Sequence, residues 1–492
     1  MRVEKDLYLG KGWSSRAYLH YKKKQEADLT TADKVVLDVK VGRINPASAE
    51  ATKSTEEWES RPGGMWLLRS TKRHESDSRH VVTAVDVLFG PDATDPRTGW
   101  RLRDTPLLLD SPAKGLEAHL SIRTGNPPHP PKPIPRIRRD GKFKIMQASD
   151  LHLATGLGIC RDLHPDDPSA SSSSSSTTPP FPCEADTRTL DFVARLLDAE
   201  KPDLVILSGD QVNGDTAPDA ASALLKLASL FISRSIPYAA IFGNHDDEKT
   251  SLTRTGSMSL LESLPFSLSV PGPADVSGVG NYVVEVLAAG TSAHAALSLY
   301  LLDSHTYSPD EKQYRGYDWL KADQISWFKS TSKALKAKHA RYTKIHMDMA
   351  FVHIPLPEYA DRENVIAGGE WREGVTAPGF NSGFKEALVE EGVLVVGCGH
   401  DHVNDYCALS REKEGVGEDG ETRWGRNELW MCYAGGAGFG GYAGYGGYHR
   451  RIRFWEVDTN SARIVTYKRL EFGDTEKRID ELVVVDGGRV VG

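Results

Sequence analysis

Five short stretches carry side chains able to ligate metal, and each follows an apolar, strand-like run. The first is Asp150-Leu-His152, after Phe143 to Ser149. In an extended chain, residues two apart project to the same side, so Asp150 and His152 can grip one ion together. The others are Gly209-Asp210 after Leu204 to Ser208, Gly243-Asn244-His245-Asp246 after Ala239 to Phe242, His353 after Met349 to Val352, and Gly399-His400-Asp401-His402 after Val393 to Cys398. Taken singly each is weak, because Gly-Asp is a common turn and a lone histidine is usually structural. His346, in a polar stretch, reads as such a surface histidine. The ordered set of five, with glycine beside three of them, is hard to obtain from core packing alone.

The donors are Asp150, His152, Asp210, Asn244, His353, His400 and His402, with no cysteine among them. Imidazole, carboxylate and amide oxygen suit borderline or hard ions such as zinc, manganese and iron. So many ligands exceed the needs of one ion and suit two metal ions sharing a carboxylate. Such a pair polarises a phosphoryl oxygen and supplies a hydroxide for in-line attack.

Positioning these donors requires a sheet. From Lys142 onward, strand-like Lys142 to Ala148, Asp203 to Leu207 and Pro237 to Phe242 alternate with helix-like Asp186 to Glu200 and Ala217 to Arg234. Apolar runs at Leu297 to Leu302, Met349 to Val352 and Val393 to Val396 supply further strands, separated by helix-like Ala322 to Lys338 and Phe384 to Glu391. Alternation of this kind predicts an α/β domain with helices packed on the sheet faces.

In its ordered motifs the chain resembles calcineurin-like metallophosphoesterases, over roughly Lys142 to Trp455. The Pro-containing His353 to Glu358 and the Gly-rich Ala434 to Tyr448 followed by Arg450-Arg451 are similar to a purple-acid-phosphatase-like branch. Val87 to Asp92 and Asp95-Pro-Arg97 resemble fungal phosphatases described as dosage-dependent cell-cycle regulators. The resemblance implies a four-layer sandwich, two mixed β-sheets flanked by helices. It implies that Asp150, His152 and His402 hold one metal, that Asn244, His353 and His400 hold the other, and that Asp210 bridges them. It further implies a metal-bridging hydroxide as nucleophile, His245 as general acid or transition-state stabiliser, and Asp246 as the group orienting His245. Purple enzymes carry Tyr three residues after the bridging Asp. Here that residue is Asn213, so no iron-tyrosinate colour is expected and the pair is left open among iron, manganese and zinc.

The remaining chain is read more coarsely. Residues 1–125 are strand-rich by pattern, with Lys34 to Val41 and His80 to Leu88 as strands, and predict a small β-sandwich or β-barrel-like domain. A Pro-rich connector spans 126–141, the phosphoesterase domain 142–472 and a tail 473–492. Within that domain, 163–183 is a low-complexity insertion with six consecutive serines from Ser171, read as a tolerated surface loop. Gly435 to Tyr448 reads either as a loop over the site or as close backbone packing. Arg450, Arg451 and Arg453 read as a solvated strand edge rather than phosphate ligands.

The chain has 492 residues, a formal net charge of −8 and five cysteines. That charge disfavours long nucleic acids as partners, though not small diesters. The odd cysteine count argues against a disulfide framework, so Cys160 and Cys183 are expected as free thiols in a reducing compartment. With no signal-like or membrane-spanning apolar run, an intracellular, cytoplasmic setting is expected. A phosphomonoesterase is the leading expectation, with a phosphoprotein among its possible substrates. A diesterase for small diesters and a catalytically silent interaction module are the alternatives.

Overall fold

The computed structural model describes all residues except 11–15, 50–52, 54, 71–79, 111, 113, 128, 166, 168–182, 417–421 and 444–447. Strands β1 (Val36–Val41), β2 (Glu56–Arg61) and β3 (Met65–Ser70) form one antiparallel sheet, in the order β1-β3-β2. Strands β4 (Val82–Phe89), β5 (Trp100–Leu102) and β6 (Ala118–Thr124) form a second, in the order β4-β6-β5. Val39, Val87, Phe89, Leu107, Leu120 and Ile122 bury themselves in the core these small sheets share.

The rest of the chain runs β7 (Lys142–Ala148), α1 (Ala185–Glu200), β8 (Leu204–Ser208), α2 (Ala220–Ser233), β9 (Tyr238–Ile241), α3 (Arg254–Ser263), β10 (Tyr282–Leu287) and β11 (Ala295–Leu301). It continues through α4 (Ala322–Lys338), β12 (Met347–Phe351), β13 (Val365–Ala367), α5 (Phe384–Glu390), β14 (Val393–Cys398), β15 (Cys407–Val416) and β16 (Thr422–Tyr433). It ends with β17 (Arg451–Asp458), β18 (Arg463–Leu470), β19 (Ile479–Asp486) and β20 (Arg489–Val490). Two mixed seven-stranded sheets result, ordered β10-β11-β12-β14-β16-β15-β13 and β20-β19-β18-β17-β7-β8-β9.

Both faces of each sheet are covered, which explains why the central strands read as continuous apolar runs rather than alternating ones. In β7, Ile145 faces the layer between the sheets with Ile206, Leu299, Met349 and Trp430. Its neighbour Met146 faces α1 and α2 with Phe192, Leu196 and Leu224. On the outer face of the other sheet, Ala350, Val396 and Met431 pack against Phe328 of α4 and Phe384 and Leu388 of α5.

Strands β7, β8 and β9 run parallel, as do β11, β12, β14 and β16. Ligand sites in sheets of this kind form beyond the carboxyl ends of parallel strands, where the loops of neighbouring strands meet. All five motifs lie there.

Two expectations about the frame need correction, and the extended connector is held in place. Residues 473–492 are not a tail: β19 and β20 extend the second sheet at its edge. The Pro-rich connector is pinned along β10, with Ile137 N donating to Leu287 O at 2.8 Å and Leu287 N to Pro135 O at 2.9 Å. Arg450, Arg451 and Arg453 are buried, because β17 lies between β18 and β7 rather than at an edge. Arg451 pairs with Asp405, and Arg453 donates to Asp405 O at 2.7 Å and Tyr433 O at 2.7 Å.

The cysteines also differ from expectation. Cys160 pairs with Cys183, and Cys407 of β15 pairs with Cys432, opposite it on β16, leaving Cys398 free and buried. Antiparallel pairing brought the second pair together across 25 residues of sequence, a proximity that spacing alone does not encode. The expectation of free thiols at Cys160 and Cys183 is therefore not met. Among the described residues no helix is long and apolar enough to cross a membrane. The Ser-rich insertion falls almost wholly outside the described residues, between the two halves of the first disulfide.

Candidate metal centre

The chain leaves β7 through Ser149 into Asp150 and His152, both in the left-handed backbone region, at φ 56° and 47°. Asp210 and His400 adopt the same region, at φ 51° and 79°. Non-glycine residues held there cost of order 1–3 kcal/mol each and persist only where surrounding contacts over-determine them. Backbone bonds provide that determination here. Asp150 N donates to Gly209 O at 3.0 Å, and His152 N to Asp210 O at 2.9 Å, locking the first motif to the second.

The glycines beside the motifs are there because ligands occupy the space a side chain would fill. A Cβ on Gly209 would lie 2.2 Å from His353 Nδ1, one on Gly243 2.1 Å from Asp210 Oδ1, and one on Gly399 2.7 Å from Asp150 Oδ2. The Gly-rich segment does the same from the other side. A Cβ on Gly438 would strike Leu151 O at 1.8 Å and one on Gly440 His152 O at 2.1 Å. Close backbone packing is therefore what Gly435 to Gly441 provide. Tyr442 then covers the site, stacked on His402 at 4.0 Å between ring centroids.

Two groups of donors form. Asp150, His152, Asp210 and His402 make one, and Asp210, His353 and His400 the other, with donor atoms within 4.8 Å of one another in each. Asp210 belongs to both. Its Oδ2 lies 3.3 Å from His353 Nε2 and 3.6 Å from His152 Nε2. Asn244 is buried between Gly243, which abuts Asp210, and His245, whose N–H donates to Asp210 Oδ1 at 2.8 Å. Neither Asn244 side-chain atom has a hydrogen-bond partner, although the Tyr307 hydroxyl is near enough to interact with it.

The donor set fits metal ions on three observations. The seven donor residues are all buried, yet His353 Nε2, His400 Nε2 and both Asn244 atoms have no well-formed hydrogen bond, which a buried polar atom tolerates only at a cost. Outer hydrogen bonds fix two imidazoles with Nε2 facing the site: His353 Nδ1 donates to Ser208 O at 2.9 Å and His402 Nδ1 to Tyr442 O at 2.7 Å. The charges also agree. Burial, then neighbouring His402, pushes His152 down to about 3, and burial, then His353, pushes His400 down to about 3, so both rings are neutral donors. Burial opposes ionisation of Asp150 and Asp210, but His402 beside the first and His353 beside the second hold them down, Asp150 at about 2. In the structure these two buried carboxylates are balanced by His353, which burial opposes but Asp210 raises to about 9, and by His402, which Asp150 raises in the same way; bound metal ions would take over that charge balance.

His245 stands at the rim, partly exposed, with its ring 5.3 Å from that of His152. Asp246 does not orient it. Asp246 instead accepts from Asp210 N at 2.9 Å, Gly243 N at 2.7 Å and Val212 N at 3.0 Å, tying the second and third motifs together. The group on His245 is Glu248, whose Oε2 lies 2.6 Å from Nδ1. Sequence reading missed Glu248; its spacing of three residues from His245 was the available signal. It also missed Tyr317, whose ring meets His400 edge-on at 4.2 Å, and Asp401 bound by Tyr433 Oη at 2.6 Å, while Tyr442 belongs to the Gly-rich segment one reading of which put tyrosines over the site. His346 is half-buried and bonded to Asp348 at 2.9 Å, away from the metal-ligand groups.

Residues 143–404 match the family model described as calcineurin-like phosphoesterase. The chain belongs to that family. It is 38% identical over 425 residues to Phosphatase DCR2 of Saccharomyces cerevisiae, covering 83% of this chain and 68% of that one. It is 35% identical over 363 residues to the Arabidopsis thaliana protein named Probable inactive purple acid phosphatase 14, covering 70% of this chain and 82% of that one. Among solved structures it aligns with the purple acid phosphatase PPD1 of yellow lupin seeds at a TM-score of 0.41 and 12% identity, over 87% of this chain and 68% of that one. This metallophosphoesterase has relatives named as purple acid phosphatases and a candidate dimetal site within its ordered motifs.

Proposed function

We propose that this chain is a dinuclear-metal-dependent phosphomonoesterase. The observation that carries the reading is Asp210 shared between two buried donor groups, each with imidazole nitrogens facing inward. Asp150, His152 and His402 would hold one ion, and Asn244, His353 and His400 the other. A metal pair supplies charge neutralisation at phosphorus and an activated water. The protein's own part is to fix the donors, cover them with Gly435 to Tyr442, and place an acid at the rim. His245, with Nδ1 held by Glu248, has Nε2 left to meet the departing oxygen. A phosphomonoester on a protein side chain falls within this class of substrate.

One observation favours a second reading, hydrolysis of small phosphodiesters. Glu248 on His245 and Glu373 on the Tyr442 hydroxyl, at 2.9 Å, place carboxylates on both flanks of the site. Such a surround suits a singly charged diester better than a dianionic monoester. The yeast relative is named a phosphatase, whereas three Arabidopsis thaliana relatives are named probable inactive purple acid phosphatases. A silent module would be expected to lack a donor or His245, and this chain has them all.

The deciding experiment compares hydrolysis of an aryl phosphate monoester with its bis-aryl diester, after chelation and after adding back manganese, iron or zinc. A monoester preference with any metal supports the proposal, and a diester preference replaces it with the second reading. No turnover with any of the three metals would overturn both.

A further inference from the structure

Most large apolar side chains of the described residues are buried, yet Tyr307 is 46% exposed at the edge of the metal-ligand groups. Its position is built rather than incidental. After β11 the chain turns back on itself, and Tyr307 and Tyr317 pair across an isolated antiparallel bridge. Ser308 N donates to Gly316 O at 2.9 Å and Asp318 N to Thr306 O at 2.9 Å, closing the hairpin. The two rings stack at 5.5 Å with an interplanar angle of 22°. Tyr317 in turn stands edge-on against His400 at 4.2 Å. A chain of ring contacts therefore runs from the donor group of His353 and His400 out to an exposed tyrosine.

The Tyr307 hydroxyl reaches Asn244, the chain neighbour of His245, and the ring lies within electrostatic range of Glu248 and Asp210. A leaving group that met His245, next to Asn244, would find an aromatic ring held by its partner Tyr317 within reach. Rings already held in place lose little freedom on binding, so they favour planar partners at low entropic cost. The nearby carboxylates of Glu248 and Asp215 disfavour a leaving group carrying further negative charge.

We propose that Tyr307, held by Tyr317, is the platform for an aryl leaving group, so that the site takes an aryl phosphate monoester such as a phosphotyrosine side chain. This rests on the phosphomonoesterase reading and names its substrate class. Tyr307 is a specificity residue: it contributes stacking area next to the acid, and Tyr317 positions it.

The test uses the full chain loaded with the metal that supports most activity. Binding of phenylphosphonate and methylphosphonate is measured by calorimetry in wild type, Tyr307→Ala and Tyr307→Phe. Phenyl phosphate and ethyl phosphate turnover are measured in parallel. Wild type should bind the phenyl compound more tightly. Tyr307→Ala should reduce that preference by roughly 2- to 10-fold, the size of one aromatic contact, and Tyr307→Phe should retain it. The phenyl-to-ethyl ratio of kcat/KM should fall in step. If Tyr307→Ala loses its fold, Tyr307→Leu supplies the non-aromatic comparison. An unchanged phosphonate preference in the non-aromatic variant overturns the platform, as does a wild type that does not distinguish the two phosphonates. Turnover of both esters with no Tyr307-dependent ratio sinks the platform alone. A Tyr307-dependent phosphonate preference without turnover of either ester leaves the platform standing and removes the phosphatase reading.

Discussion

Glu248 Oε2 sits 2.6 Å from His245 Nδ1, three residues along the chain, and leaves the opposite ring nitrogen for substrate. This pair, rather than the adjacent Asp246, orients the ring proposed as the acid. We predict that Glu248→Gln keeps both metals but lowers kcat on an alkyl phosphate by about 10- to 100-fold, the usual effect of losing an orienting partner. His245→Gln should lose roughly 10²–10⁴-fold. Comparing the two on esters of graded leaving-group basicity checks the assignment. If Glu248→Gln behaves as wild type on the poorest leaving group, the pair has no part in acid catalysis.

Asp210 is the donor common to both groups. Asp210→Asn is expected to lose bound metal and nearly all turnover. Metal analysis of the purified variant is the direct reading, and Tm with and without added metal is the second. Wild type should be stabilised by metal through linkage, by about 4 kcal/mol at a thousand times Kd, and the variant should respond far less. Full metal content in Asp210→Asn would refute the shared-donor assignment.

Gly209 has φ 102°, and a Cβ there would lie 2.2 Å from His353 Nδ1. Gly209→Ala should therefore strain the backbone by on the order of 1–3 kcal/mol and displace His353 as well. We expect a lowered Tm together with lost metal. Gly473→Ala is the control: it also has positive φ, 77°, but no atom lies within 4 Å of its Cβ position. It should lower Tm without touching metal content, and equal metal loss in both would discredit the steric argument.

Asp405 is buried with Arg451 and Lys468. Burial opposes its ionisation, but those two cations hold its carboxyl at about 2, below the ordinary 3.8. A carboxyl lowered in the folded state stabilises above its unfolded pKa and loses that contribution as pH falls through the folded one. The window is thus pH 4 down to 2, in round numbers. Asp405→Asn should cost about 3–5 kcal/mol near neutrality, since it strands buried cations. That gap from wild type should narrow on acidification through the window. Denaturant unfolding at a series of pH values measures it, and a gap constant with pH would show that the charge is not the source.

Cys407 and Cys432 close a loop of 25 residues. Chain-entropy reasoning gives such a crosslink roughly 3 kcal/mol. Peptide mapping without reductant should recover the two segments joined, and Cys407→Ala should lower stability by that order. Recovery of both cysteines as free thiols from protein purified without reductant would remove this bond.

The sequence alone determined the identity and order of the candidate donors, and it did so because each lies directly beyond an apolar run. A strand buried on both faces must be apolar throughout, and its ligand-bearing end must follow at once. Asp150, Asp210 and His400 were legible for that reason, and so were β7, β8 and α4, whose patterns are local. The later strands β15 to β20 were less legible because long antiparallel pairings carry no local signature. The Cys407–Cys432 pairing, the burial of Arg451 and Arg453, and the fate of residues 473–492 all follow from those pairings. Glu248 over Asp246, and Tyr307 and Tyr317 at the rim, depended on loop geometry. Which side chain reaches His245 is set by left-handed turns and backbone bonds between distant strand ends, and only the assembled fold brings those ends together.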